Sequence, residues 1–201
     1  MEERVSVPCG EIELDARFDP IERGKGVVIA HPHPLYGGDM NNPVIMAIKN
    51  AYTNSGYSTL RFNFRGVGAS QGAYDNGIGE QSDVHAVIDF LKAAGIRHID
   101  LAGYSFGAWV IAGLSPSPDG INRMLLVSPP VAMMDFSGMN HPRLPIRMIT
   151  GSQDDIAPPD TVETLLDGLD ARAELVTIDG ADHFYSGHMQ QLEAAISVTI
   201  K

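Results

Sequence analysis

In LAGYSFGAWV, a serine stands between two glycines, as Gly103-Tyr104-Ser105-Phe106-Gly107, with an apolar run on either side. A serine hydroxyl is a weak nucleophile. It needs a base to take its proton, and the base needs an acid to orient it. Small residues two positions away on each side relieve crowding when a serine sits on a sharp turn between a buried strand and a helix. The side chain then stands above the sheet edge. The helix N-terminus behind it favours developing negative charge. The pattern alone is only suggestive, because a chain with 21 glycines and 13 serines supplies it by chance about 0.14 times. The partners must decide.

On such a turn the acid is expected after a later strand and the histidine after a strand later still. RMITGSQDDIAPP provides a strand, a glycine turn, and then Asp154 and Asp155. LVTIDGADHFY provides the last strand and then His183. Asp154 is three residues past Gly151 and is the preferred acid, with Asp155 the fallback. Asp179 and Asp182 lie too close along the chain to His183 to reach its far ring nitrogen. His85 falls within a helix, His98 precedes a strand, His141 lies in a loop and His188 begins the last helical stretch, so none of them fits the base position. The expected set is Ser105 as nucleophile, His183 as base and Asp154 as acid.

Attack on a carbonyl creates an oxyanion that needs two backbone N–H donors. The Phe106 amide, next to the serine, is one. The loop HPHPLYGGD, residues 31–39, should supply the other. Pro32 and Pro34 have no N–H, which leaves His33, Leu35 and Tyr36. Leu35 is the expected donor, because the prolines stiffen the approach and Gly37-Gly38 lets the chain turn away. His31 and His33 could suggest a metal, but no carboxylate or cysteine is spaced to join them. No metal and no cofactor are expected.

The elements that must position these residues alternate along the chain. After two short alternating strands in the first twenty residues, the pattern becomes strand, helix, strand. GVVIA (26–30) is an apolar run suited to a strand buried on both faces. The helix predicted over 79–95 carries Val84, Val87, Ile88 and Leu91 on one face. Strands are predicted at 57–64, 123–128, 146–150 and 174–179, and a helix over 160–170. Such alternation implies a single α/β domain with a mostly parallel sheet flanked by helices. Ligands bind such sheets at the carboxyl ends of the strands. Only 17 residues separate RMLLVS from IRMIT, too few for a helical cap there. VAMMDFSGM places Met133, Met134, Phe136 and Met139 on the active edge, where soft side chains suit either an acyl pocket or ordinary core packing, the commoner use of such residues. Tyr36, Met133 and Met134 are the expected substrate contacts. Gly66, Gly68 and Gly72 lack both the dinucleotide spacing and a phosphate-loop lysine, so their loop is expected to line the site, anchored by Arg65.

Composition narrows the partners. A formal net charge of −11 disfavours nucleic acid and anionic membrane surfaces. The single Cys9 cannot form an internal disulfide. With no secretory pattern at the start and no long apolar span, a cytoplasmic protein is expected, as a monomer or weak dimer.

HPHPLYGGDMNNPV, RFNFRGVGASQGAYDNGIGE, GYSFGA, GSQDD and GADHFY together resemble the α/β-hydrolase superfamily. In particular they resemble a group of small, cap-less bacterial hydrolases described as serine esterases. The resemblance implies an eight-stranded sheet with its second strand antiparallel, and a Ser105–Asp154–His183 triad. It names no substrate. The expected activity is hydrolysis of small carboxylic esters, short acyl chains favoured, through an acyl-serine intermediate. Thioesters or peptides could be cut with the same triad. A non-catalytic binding module on this fold is the competing reading of a different class.

Overall fold

The computed structural model describes residues 1–21, 24–115, 118–139, 144–169 and 172–200. Eight strands are β1 Glu3–Cys9, β2 Ile12–Asp19, β3 Lys25–Ala30, β4 Ser58–Phe62, β5 His98–Tyr104, β6 Ile121–Val127, β7 Ile146–Gly151 and β8 Ala173–Ile178. Five helices are α1 Pro43–Asn54, α2 Ile78–Ala93, α3 Phe106–Ala112, α4 Pro159–Asp167 and α5 Met189–Thr199. A single 3-10 turn, Pro34–Tyr36, follows β3. The strands form one sheet in the order β1-β2-β4-β3-β5-β6-β7-β8. Only β2 runs against its neighbours; the pairs from β4 across to β8 are all parallel.

Side chains of a strand alternate between its two faces, and here the alternation divides the core in two. Val28 and Ala30 of β3, Leu101 of β5 and Met124 and Leu126 of β6 join the side covered by α2, α3 and α4. Val27, Ile29, Ala102, Tyr104, Leu125 and Val127 face α1 and α5. Because both faces are covered, β3 is apolar along its buried length, and the central strands carry apolar side chains on both faces rather than alternating apolar with polar. α1 starts where Asn42 Oδ1 accepts the Val44 amide and Pro43 occupies the first helical position, where a missing N–H costs nothing. Between β6 and β7 the described residues form turns and no helix, so no described residue there builds a helical roof over the carboxyl ends of the strands.

At the opposite edge of the sheet, β5 carries a fully buried Asp100. Arg123 Nε lies 3.2 Å from its Oδ2, yet neither carboxylate oxygen completes a well-directed hydrogen bond to a described residue. Burial pushes this carboxyl from 3.8 up to about 6. The folded protein therefore holds Asp100 protonated up to about pH 6, well above where a free carboxyl ionises. Its unfavourable ionisation is absent below the unfolded value and complete above about 6, so this group lowers stability as the pH rises through that window. The shift corresponds to about 3 kcal/mol. Urea unfolding of the wild type and Asp100→Asn from pH 4 to 7 should give a stability difference that moves against the wild type by about that amount. A difference that stays flat across the window would rule this out.

Candidate functional site

Ser105 sits between β5 and α3 with φ 53° and ψ −119°, a left-handed conformation that costs an L-residue about 1–3 kcal/mol. Two hydrogen bonds hold it there: its amide donates to Val127 O on β6 (2.9 Å), and its carbonyl accepts from Trp109 N on α3 (3.1 Å). The flanking glycines are required by close approach. A Cβ on Gly103 would stand 2.6 Å from Ala108 N, and one on Gly107 would stand 2.3 Å from Ala30 O. The Gly-x-Ser-x-Gly pattern is thus the residue-level consequence of packing this turn against β3 and the first turn of α3.

The loops after β7 and β8 bring the other two residues to it. His183 Nε2 lies 3.0 Å from Ser105 Oγ, and His183 Nδ1 lies 2.9 Å from Asp154 Oδ2 and 3.0 Å from Oδ1. Asp154 is buried and also accepts the amides of Ile156 (2.9 Å) and Ala157 (2.8 Å) on Oδ1. Burial pushes its carboxyl upward. The hydrogen bond and charge of His183 and the Ala157 amide more than offset this, leaving it below the ordinary value. An ionised Asp154 fixes His183 with its proton on Nδ1 and its lone pair on Nε2, facing the serine. Asp155 is exposed, and its carboxylate bonds to no described residue. Tyr104, just before Ser105, donates its hydroxyl to the His183 carbonyl at 2.9 Å and ties the histidine loop to β5.

The structure does not meet the expectation for Leu35. Its amide donates to His33 Nδ1 at 3.2 Å, capping the 3-10 turn, and its side chain is 66% exposed and outside the cavity. The Tyr36 amide is also used, donating to His33 O at 3.1 Å. Of the three loop amides, that of His33 alone donates to no described residue. Sequence reasoning could not make this choice, because it depends on which amides the turn consumes. The Phe106 amide lies in the first turn of α3, where N–H groups lack an intrahelical partner.

The peptide bearing the His33 N–H is held by a neighbour that sequence reasoning weighed only as a metal ligand. His31 is fully buried; its Nδ1 donates to Pro32 O at 2.6 Å and its Nε2 accepts the Phe64 amide at 3.0 Å. Burial lowers its pKa to about 4, which keeps the ring neutral. Pro32 C=O and His33 N–H belong to one planar unit and point opposite ways, so fixing the carbonyl fixes the N–H. His33 Nδ1 is an acceptor, so its Nε2–H faces Tyr74 OH at 3.3 Å, and its ring packs on Phe106 with centroids 4.7 Å apart. Both histidines are thus occupied. Among the described residues, no group of three or more potential ligands converges on a metal position.

A cavity of about 440 Å³ opens over Ser105 and His183. Tyr36, Met133 and Met134 line it, together with Phe184, Ile156 and Asn42, which sequence reasoning missed. Phe184 follows His183 directly and packs edge-on against it, ring centroids 5.5 Å apart; that adjacency was the available signal. Trp109 Nε1 donates to Asp135 O at 2.7 Å and so tethers the methionine loop to α3. Phe136 and Met139 are buried in the core rather than in this cavity. Arg65 pairs with buried Asp83 at 2.7 Å and anchors its loop. His85 lies on α2, His98 opens β5 and His188 precedes α5, all away from the cavity lining; His141 lies outside the described residues. No described helix is long and apolar enough to cross a membrane.

No protein-family model matches the chain. An uncharacterized protein of Rickettsia prowazekii is 37% identical over 180 residues, which cover 85% of this chain and 76% of that protein. The solved structure of an α/β serine hydrolase homologue from Coxiella burnetii superposes with a TM-score of 0.92 at 33% identity, covering 99% of this chain and 97% of that one. An α/β serine hydrolase without a lid from Xanthomonas campestris also superposes at 0.92, with 29% identity, 99% of this chain and 93% of that one. The eight-stranded sheet, the uncapped strand ends and these likenesses agree: the chain belongs to the α/β-hydrolase superfamily.

Proposed function

We propose that the protein is a serine hydrolase that cleaves carboxylic esters through an acyl-serine intermediate. One observation carries this reading: the continuous chain from Ser105 Oγ to His183 Nε2 at 3.0 Å, and from His183 Nδ1 to Asp154 at 2.9 Å. The likeness to lid-less serine hydrolases supports it.

Ser105 Oγ attacks the ester carbonyl while its proton passes to His183 Nε2. The Phe106 and His33 amides hold the oxyanion. The tetrahedral intermediate collapses, His183 returns the proton to the departing alcohol, and the acyl group stays on Ser105. Water then attacks the acyl-serine, with His183 again taking the proton; collapse of this intermediate releases the acid as His183 returns that proton to Ser105 Oγ. Asp154 remains ionised throughout and steadies the imidazolium. Short acyl groups are favoured, because an uncapped cavity encloses only part of a substrate.

Hydrolysis of 4-nitrophenyl acetate and butyrate by the purified protein tests this reading. Turnover that a fluorophosphonate stops by modifying Ser105 is the expected result; failure to turn over any ester would defeat it.

The oxyanion assignment has its own test. His33 has φ −56°, which proline also adopts, so His33→Pro removes the amide hydrogen at an allowed backbone angle. His33→Ala removes the ring and keeps the amide. The proline variant should fall about 10²–10³-fold below the alanine variant in kcat. Equal rates for the two would exclude the His33 amide.

A further inference from the structure

The loops that surround the cavity are acidic. Asp39, Asp135, Asp155 and Asp182 each follow or precede a cavity-lining residue: Gly38, Met134, Ile156 and His183 respectively. Asp75 adjoins Tyr74, whose ring packs on His33. None of these five forms an ion pair among the described residues. Against them, Arg65 is the one lysine or arginine in the described loops at this edge, and Asp83 holds it. The opposite edge, where the parallel strands begin, carries Lys25, Arg97 and Arg172, beside Arg123 paired with Asp100 and Arg147 paired with Glu174. The carboxylates of the mouth loops are therefore not offset by a free cation among the described residues of those loops.

The mouth also presents uncovered aromatic surface. Tyr36 is 84% exposed and Phe184 64%. They flank the serine: Phe184 packs on His183, and Tyr36 packs on His33 with ring centroids 4.7 Å apart. The residues lining the cavity include no lysine, arginine, aspartate or glutamate. An apolar, aromatic pocket bordered by loops that carry unpaired carboxylates offers no cationic side chain, among the described residues, to neutralise a phosphate or carboxylate on a substrate. It offers both long-range attraction and ring faces to a substituted ammonium.

We infer that the site selects its esters by charge. It accepts neutral apolar esters, prefers esters that carry a cationic group such as a quaternary ammonium, and rejects anionic acyl donors, phosphate-bearing thioesters included. This rests on the ester-hydrolase reading above and adds the substrate's charge to it.

Three esters with four-carbon acyl groups test it by acid release at fixed pH: butyrylcholine, ethyl butyrate and the monoethyl ester of succinate. From about 20 mM to about 500 mM sodium chloride, kcat/KM for butyrylcholine should fall about tenfold. That for the succinate ester should rise severalfold, and that for ethyl butyrate should stay within about twofold. Asp75→Lys/Asp155→Lys changes two exposed carboxylates that make no hydrogen bond to a described residue. It should cut the low-salt preference for the cationic over the anionic ester by about fivefold, with ethyl butyrate hydrolysed as before. The same salt response for all three esters, or a succinate ester that is best at low salt, would overturn the inference and leave the esterase reading intact. If none of the three is hydrolysed and 4-nitrophenyl butyrate is not either, the esterase reading itself fails.

Discussion

Replacing Ser105 by alanine should lower kcat for 4-nitrophenyl butyrate by at least about 10⁴-fold and leave the fold intact. In the proposed mechanism this hydroxyl forms the acyl bond. What remains in the variant is water attacking a carbonyl held by the two amides, a residual rate well below the covalent route. Ser105→Gly makes a second, less obvious point. The serine sits at φ 53°, which glycine adopts without penalty and other residues do not. The glycine variant should therefore match alanine in inactivity yet unfold at a higher temperature than alanine, by about 1 kcal/mol of stability. Thermal unfolding of the two variants beside the wild type measures this. Identical midpoints would mean that the turn stores no strain.

Asp154→Asn should cost about 10³–10⁴-fold in kcat with little change in KM. An asparagine amide placed at His183 Nδ1 turns an acceptor into a donor. The imidazole must then present a lone pair to it and a proton toward Ser105, which leaves the serine without a base. Asp155→Asn, one residue away, should stay within about twofold, because its exposed carboxylate touches neither His183 nor any other described residue. The paired variants also decide between two carboxylates that the sequence left adjacent. A large loss in Asp155→Asn with an active Asp154→Asn would reverse the assignment.

Much of this architecture follows from pattern. Runs apolar at every position, such as GVVIA, can only be satisfied by burial on both faces, and parallel strands between helices provide that. The order of Ser105, Asp154 and His183 along the chain translated directly into neighbouring loops, because each follows a strand that ends at the same sheet edge. Individual hydrogen-bond partners were not legible. Leu35 looked free because nothing in HPHPLYGG announces that the His33 ring turns back to cap its own loop. That choice is made by a 3-10 turn with one proline inside it and by a ring contact with Phe106, a residue more than seventy positions away. The role of His31 was not legible for the same reason: its buried neighbours Pro32 and Phe64 decide what it does. Phe136 and Met139 show the limit of reasoning from a loop's composition. A stretch rich in soft apolar residues fills both a pocket and a core, and only packing separates the two.

The central claim is that Ser105 is the atom donor to a covalent intermediate. Treating the protein with a fluorophosphonate and measuring its intact mass and peptide map tests that claim directly. The expected result is one adduct per chain, located on Ser105, appearing in step with the loss of ester hydrolysis and absent from Ser105→Ala. Label on another residue, or ester hydrolysis that survives in Ser105→Ala at the wild-type rate, would contradict it.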